Sequence, residues 1–488
     1  MEELIRQLQS FPLTNNIPLS DEQYDILIKS HIRKLSRASI DQATSDLNNI
    51  QQLLNAIKAL DPAVHSASFG LVLEAALRKP KSSAEFPIAS ELLKFTALFD
   101  PIQIRYIGSS LVNILDTILD LDIFSAPIAT DAVATALCRL NPEVTYLNST
   151  RIRLAKVAYQ TCTLDPVMPL ISQTPLYFPC ATYPPAPYLC SRFLTPPEYM
   201  ASLSKPLLPQ DIMEYDMTCG LVFCAQGKWK AARSAFSRCI THPFKNGDIS
   251  KIAVEAFKRW ILTSLIVLGS VNRDSVPNPC PHLLRKALPS LAQPYIDLAE
   301  AFAKDYRSLQ SKIDSHSAIW PQDNNLGLVN MVVSYYPKWK IGQLRSIYTK
   351  CSITEVQESL SKDMLDFAPN SSQIIALIEE MVSENMLTAR VVAAEGDIPD
   401  HVVFTEPSKA KSSAELKKQI DECMHNIRTL QQASKDINTL IQIHPDYVQV
   451  FNDDIKHRKV LIAADGVQTD FDMSMEDEDL MAGISTTA

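Results

Sequence analysis

Glycine is scarce in this chain, at 11 of 488 residues. Glycine-lined nucleotide loops and all-β folds use more of it, so the shortage argues against both and favours helices. Long apolar runs are missing as well. The longest, 260–268, is interrupted by Thr263 and Ser264 and falls far short of the roughly 20 residues that span a bilayer. Residues 1–7 are charged and amphipathic, unlike the apolar stretch of a secretory leader. No membrane partner is expected. None of the 10 cysteines forms a C-x-x-C pair. Cys219, Cys224 and Cys239 sit inside apolar runs, where a thiol behaves as a small hydrophobe. The expected location is therefore cytoplasm and nucleus. The nine histidines are dispersed, with no H-x-H or H-E-x-x-H, so metal-ligand spacing is missing. No phosphate-binding glycine loop and no G-x-S-x-G elbow occurs either. No catalytic residue and no cofactor can be nominated. Finally, there is no cationic excess. A net charge of −9 disfavours nucleic acid as the main partner, because phosphate contacts need a basic face.

What is present is helical period. Residues 1–165 read as amphipathic helices, for example Ala43, Leu47, Ile50, Leu54, Ile57 and Leu60 at spacings of three and four. Breakers such as Asp61-Pro62, Lys79-Pro80 and Asp100-Pro101 separate them. Residues 166–209 hold 11 of the 31 prolines together with Tyr177, Phe178, Tyr183, Tyr188, Phe193 and Tyr199. Few helices survive that proline density, and a disordered linker has fewer aromatics. We expect an irregular segment lying across the helices; a proline-rich ligand for a recognition domain is the lesser alternative. Helical repeats resume over 210–338. Gly220, Phe223, Gly227, Ala232 and Phe236 fall in a tetratricopeptide-like pattern. Gly269 is placed to end a strongly apolar helix.

The grammar changes near 339. Residues 341–350 read as a helix. Ser352 and Glu355 resemble a capping box opening the next, and 371–384 is a third. Then Leu387, Ala389, Val391 and Val392, followed by Val402, Val403 and Phe404, flank the turn signal 395–400, which reads as a β-hairpin. Three helices and a hairpin over 339–407 have the order of a winged helix. The third helix carries Glu379, Glu380 and Glu384 and no Lys or Arg, which argues against groove binding to DNA. Lys258-Arg259 reads as the solvated edge of a buried helix, and Tyr335, Tyr336, Lys338 and Trp339 as packing against the module. Over 412–444 a long polar helix carries a thin seam: Leu416, Ile420, Cys423, Ile427, Leu430, Ser434, Ile437 and Ile441. A stripe so narrow needs other helices to cover it, in a mixed bundle or a homodimeric coiled coil. Residues 445–488 read as a partly disordered acidic tail.

The reading is mainly α: a tetratricopeptide-like solenoid, a winged-helix module and a long C-terminal helix. That order resembles the PCI domain shared by subunits of the proteasome lid, the COP-nine signalosome and translation initiation factor three. Residues 255–262 (EAFKRWIL), 264–269 (SLIVLG) and 323–329 (DNNLGLV) are similar to the signalosome's PCI subunits. The resemblance implies a non-catalytic scaffold that supports removal of Nedd8 from cullin-RING ligases, the zinc protease lying on another subunit. It implies winged helices joined edge strand to edge strand and C-terminal helices gathered in one bundle. The wing interface would then use Leu387, Ala389, Val391, Val392, Val402, Val403 and Phe404, and the bundle Leu416, Ile420, Ile427, Leu430, Ile437 and Ile441. Other signalosome subunits, with PCI subunits one and eight as neighbours, are the implied partners, and cullin-RING ligases indirectly. A proteasome lid subunit and a winged-helix nucleic-acid binder are the alternatives.

Overall fold

The computed structural model describes residues 2–12, 20–35, 49–78, 88–179, 188–192, 194–243, 249–272, 276–278, 280, 282–364, 369–384, 386–392, 400–404 and 413–464. Ala43, Leu47, the Lys79-Pro80 breaker, Tyr183, the 184–185 proline pair, Phe193, positions 395–399 of the turn signal and the acidic run 470–479 lie outside the described residues. The described chain is mainly helical. It divides into one unit comprising residues 1–180 and 185–414 and another comprising residues 181–184 and 415–488.

The first unit opens with helices, among them α1 (Glu2–Leu8), α2 (Asp21–Lys34), α3 (Asn49–Lys58), the almost wholly buried α4 (Ser66–Leu77), α5 (Ala89–Leu98), α6 (Gly108–Leu119), α7 (Ala126–Leu140) and α8 (Ser149–Gln160). Asp100 caps a short turn with proline at its first position, its carboxylate accepting from the Ile102 N–H at 3.0 Å. The described parts of the stretch after α8, which include short helices at Met168–Ser172 and Pro196–Met200, pack on these helices. Tyr146 and Tyr177 form a parallel bridge, and the Arg105 guanidinium donates to the carbonyls of Leu189 and Ser191. Arg151 organises the joint with the next repeat. Its buried guanidinium donates to the Tyr215 hydroxyl and to the carbonyls of Val144, Tyr146, Leu170 and Gln173. A buried cation is costly unless its donors are used, and five bonds to oxygen supply that.

Helices α9 (Pro209–Ala225) and α10 (Trp229–Thr241) form the pair in which the tetratricopeptide-like pattern was read. A Cβ at Gly220 would stand 2.3 Å from the Phe236 ring, so only glycine admits that aromatic, and Gly227 turns the chain at φ +67. Cys219 and Cys239 are buried in this pair, and burial pushes the Cys219 thiol up to about 12. Helix α11 (Lys251–Leu268) ends at Gly269 in the left-handed region, its N–H donating to Leu265 O at 2.9 Å. Lys258 and Arg259 correct the expectation of a solvated edge. Lys258 is held by Glu255 and by Asp323 at 2.8 Å, and Arg259 by Glu255. The reason is long-range: Asp323 comes from the turn 65 residues away. Helices α12 (His282–Leu291), α13 (Gln293–Lys304), α14 (Tyr306–Ser315) and α15 (Leu326–Leu344) complete the repeats.

Helix α15 runs unbroken past residue 339, where the sequence pattern suggested a boundary, although Pro337 lies within it. The helix expected over 341–350 is instead its last turn, a bend, and strand β1 (Lys350–Ser352). Then come α16 (Ile353–Asp363), α17 (Ser371–Ser383), β2 (Ala389–Val392) and β3 (His401–Phe404). Ser352 opens α16 with a capping box: its hydroxyl accepts from Glu355 N–H at 3.1 Å, and Glu355 accepts from Ser352 N–H at 2.9 Å. The three strands make one antiparallel sheet in the order β1–β3–β2. Ile341, Cys351, Val356, Leu360, Ile374, Ile378, Met381, Leu387 and Val402 form a core between sheet and helices.

The second unit contains α18 (Ser413–Ile443) from Glu415 onward and α19 (Pro445–Ala464). The helix from Pro445 corrects the expectation of a tail beginning there. Among the described residues no helix is long and apolar enough to cross a membrane.

Candidate assembly interfaces

The sheet order decides which strand backbone is free. The Phe404 N–H donates to Thr349 O and the Ile353 N–H to Asp400 O, each at 2.9 Å, so Cys351 and Val402 between them form a hydrogen-bonded pair. On β3, residues 400, 402 and 404 therefore face β1. His401 and Val403 face β2, opposite Val392 and Arg390. By the same alternation the backbone groups of Ala389 and Val391 point outward. Among the described residues no strand pairs with that side. The opposite edge is blunted, because the Ser352 N–H is already taken by the capping box.

This corrects part of the wing interface. Leu387, Val402 and Phe404 are buried core, because β3 is the central strand and its even-numbered side chains point at α16 and α17. Ala389 and Val391 pack partly against that core, and Val392 and Val403 are half-buried. What β2 offers a neighbour is the backbone of 389 and 391.

The module is fixed to the repeats by a charged latch. Lys338 on α15 is only 4 % exposed, and its ammonium lies 3.1 Å from both Glu380 of α17 and Glu384, which caps the C-terminal end of that helix. The same ammonium sits 4.3 Å from the centre of the Tyr335 ring. Its pKa is raised: the two glutamates outweigh burial, the largest single influence, which acts to lower it. Tyr335 accepts from Trp229 Nε1 at 2.9 Å, and Trp339 Nε1 donates to Ile266 O at 3.1 Å. The acidity of the third helix thus has an internal use that composition alone did not reveal.

The seam of α18 is the second candidate. Leu416, Ile420, Ile427, Leu430, Ile437 and Ile441 are each 39 to 54 % exposed. At 100° per residue they lie within about 100° of arc. Cys423 and Ser434 fall on the same stripe and are exposed. Tyr447, Val448, Val450 and Phe451 of α19 are also exposed, an apolar set that period alone did not single out.

Several known proteins similar to this chain are named as subunits of one complex. A family model described as COP9 signalosome complex subunit 3, N-terminal helical repeats, matches residues 200–282, which span α9, α10 and α11. A Neurospora crassa protein named COP9 signalosome complex subunit 3 is 28% identical, covering 99% of each chain. A protein of that name from Emericella nidulans is 29% identical over 83% of this chain and 82% of its own. One from Dictyostelium discoideum is 25% identical over 49% of this chain and 54% of its own. From end to end this chain resembles COP9 signalosome complex subunit 3.

Proposed function

We propose that this chain is a non-catalytic scaffold subunit of the COP9 signalosome, supporting removal of Nedd8 from cullin-RING ubiquitin ligases while the isopeptidase chemistry resides on another subunit. The observation that carries the reading is the similarity to the Neurospora subunit over 99% of both chains. The geometry fits it. On this reading, the two helices and three-stranded sheet after α15 are the winged-helix part of a PCI domain. The outward backbone of Ala389 and Val391 takes a strand of a neighbouring PCI subunit, with subunits one and eight as neighbours. The half-exposed seam of α18 enters a bundle with the C-terminal helices of the other subunits. The complex works in cytoplasm and nucleus.

A winged-helix nucleic-acid binder is not favoured, since α17 presents no basic residue and spends two glutamates on Lys338. Affinity purification of the tagged chain with mass spectrometry tests the assignment. Signalosome subunits and cullins are expected; recovery of proteasome ATPases instead would sink it. The purified chain alone is expected to leave neddylated cullin intact.

A further inference from the structure

A cleft of about 620 Å³ opens where the α9–α10 turn, the end of α11, α15 and the residues after α17 meet. Its walls include Trp229, Ile266, Val267, Tyr335, Trp339 and Met386. Both indole N–H groups already have acceptors, Tyr335 and Ile266, so what the tryptophans leave for a ligand is ring surface. A cavity of this size, apolar and aromatic with a few polar groups at the edge, suits a ligand side chain or two. Lys228 and Lys230 stand exposed at the rim, and no carboxylate among the described residues bonds to either. The first turn of α10, which they flank, has no side-chain cap. The one carboxylate lining the cleft, Glu384, shares the Lys338 ammonium with Glu380, each at 3.1 Å, so Lys228, Lys230 and Lys338 outnumber the two glutamates. The rim is therefore cationic on a chain of net charge −9.

We propose that this cleft binds a short acidic peptide segment of a partner protein, seating one aromatic or methionine side chain against Trp229 and Trp339 and placing flanking carboxylates on Lys228 and Lys230. Sulfur and ring edges both pack well on indole faces. Single-stranded nucleic acid would also stack on tryptophan, but it follows a groove lined by many cations. Here only two lysines border one short cleft. The proposal rests on neither the β2 backbone nor the α18 seam, so its test is independent of the assembly reading.

The test uses the full chain and a fluorescein-labelled peptide with a single phenylalanine between runs of glutamate, read by anisotropy. Saturable binding is expected, weakening about tenfold or more when serine replaces the phenylalanine. The double variant Lys228→Glu, Lys230→Glu, exposed at both positions, should weaken binding by about tenfold. Ala231→Phe, which fills the hollow from α10, should do so without altering the rim charge. Circular dichroism must match the unaltered chain in both variants. The proposal is overturned by no saturable binding, by equal binding of a lysine-flanked peptide, by folded variants that bind normally, or by an oligouridylate that binds more tightly and displaces the peptide.

Discussion

Replacing Ile427 and Leu430 together by aspartate separates the stability of this chain from its assembly. Both side chains are about half exposed, at 48 % and 54 %. In the free chain the change therefore resembles an exposed helix substitution, costing roughly 0.5 kcal/mol per site. In a bundle the remaining half of each side chain would be covered. That forfeits about 1 kcal/mol of apolar burial per residue, and it adds several kcal/mol for each carboxylate taken out of water without a partner. A loss on the order of 5 kcal/mol or more lowers affinity by over a thousandfold. The assay is co-purification of the tagged variant from cells, beside thermal melting of the isolated chain. A double control, Lys418→Asp with His425→Asp, places the same new groups on the opposite face of α18. The variant should melt like the parent and be lost from the complex, whereas the control stays. Undiminished co-purification would refute the seam as an interface. A large fall in melting temperature would refute it differently, by showing that the seam is already covered within the chain.

Three further outcomes follow from the geometry. Val392→Pro should destabilise the module itself, by about 3 kcal/mol, because the Val392 N–H faces β3; Val391→Pro, whose N–H faces outward, should keep the melting curve and weaken capture of a neighbouring subunit, and identical behaviour of the two in both assays would contradict the edge assignment. Gly220→Ala forces a Cβ to 2.3 Å from the Phe236 ring, and denaturant titration should show a loss of about 1–3 kcal/mol; an unchanged midpoint would mean that α9 and α10 are not so closely packed. His31 lies buried between the hydroxyls of Ser10 and Ser68, and burial, with His65 and Lys34 adding repulsion, lowers its pKa from 6.5 to about 4. The unfolded chain then binds the proton that the folded chain refuses, so this stability is complete above pH 6.5 and falls by up to about 3 kcal/mol as pH drops toward 4. Denaturant titrations at pH 7 and pH 4.5 should show His31→Gln losing less stability than the parent, and equal losses would count against the assignment.

Much of the fold was legible because its signals are local. The α18 seam repeats every three and four residues, so its stripe follows from residue spacing alone. Ser352 and Glu355 announce a capping box from their spacing, and Gly220 and Gly269 stand where a close helix approach and a left-handed turn need them. What escaped was non-local or had no clean period. Strand β1 is three residues long, and it exists because β3, some fifty residues later, pairs with it. Without β1 the hairpin looks two-stranded, both of its outer edges look free, and Val402 and Phe404 look like interface instead of core. In α19, Tyr447, Val448, Val450 and Phe451 mix β-branched and aromatic residues without a single stripe, so neither helix nor strand period emerged. Lys258 looked solvated because its partner Asp323 lies far along the chain.

The acidic third helix shows how a negative inference from charge becomes a positive one. Glu380 and Glu384 argue in sequence only against phosphate. In the structure they hold the ammonium of Lys338, the most buried lysine among the described residues. Removing either glutamate alone leaves the other in place, and both reach water, at 53 % and 35 % side-chain exposure, so each contributes modestly. The lysine cannot leave so cheaply, because its stem is packed beside Tyr335 and it has no other described anion. The latch thus acts chiefly on orientation: it fixes α17, and with it the sheet, against the last repeat helix. A module held at a set angle aims the outward backbone of β2, unpaired among the described residues, in one direction, as the proposed joining to a neighbouring subunit requires.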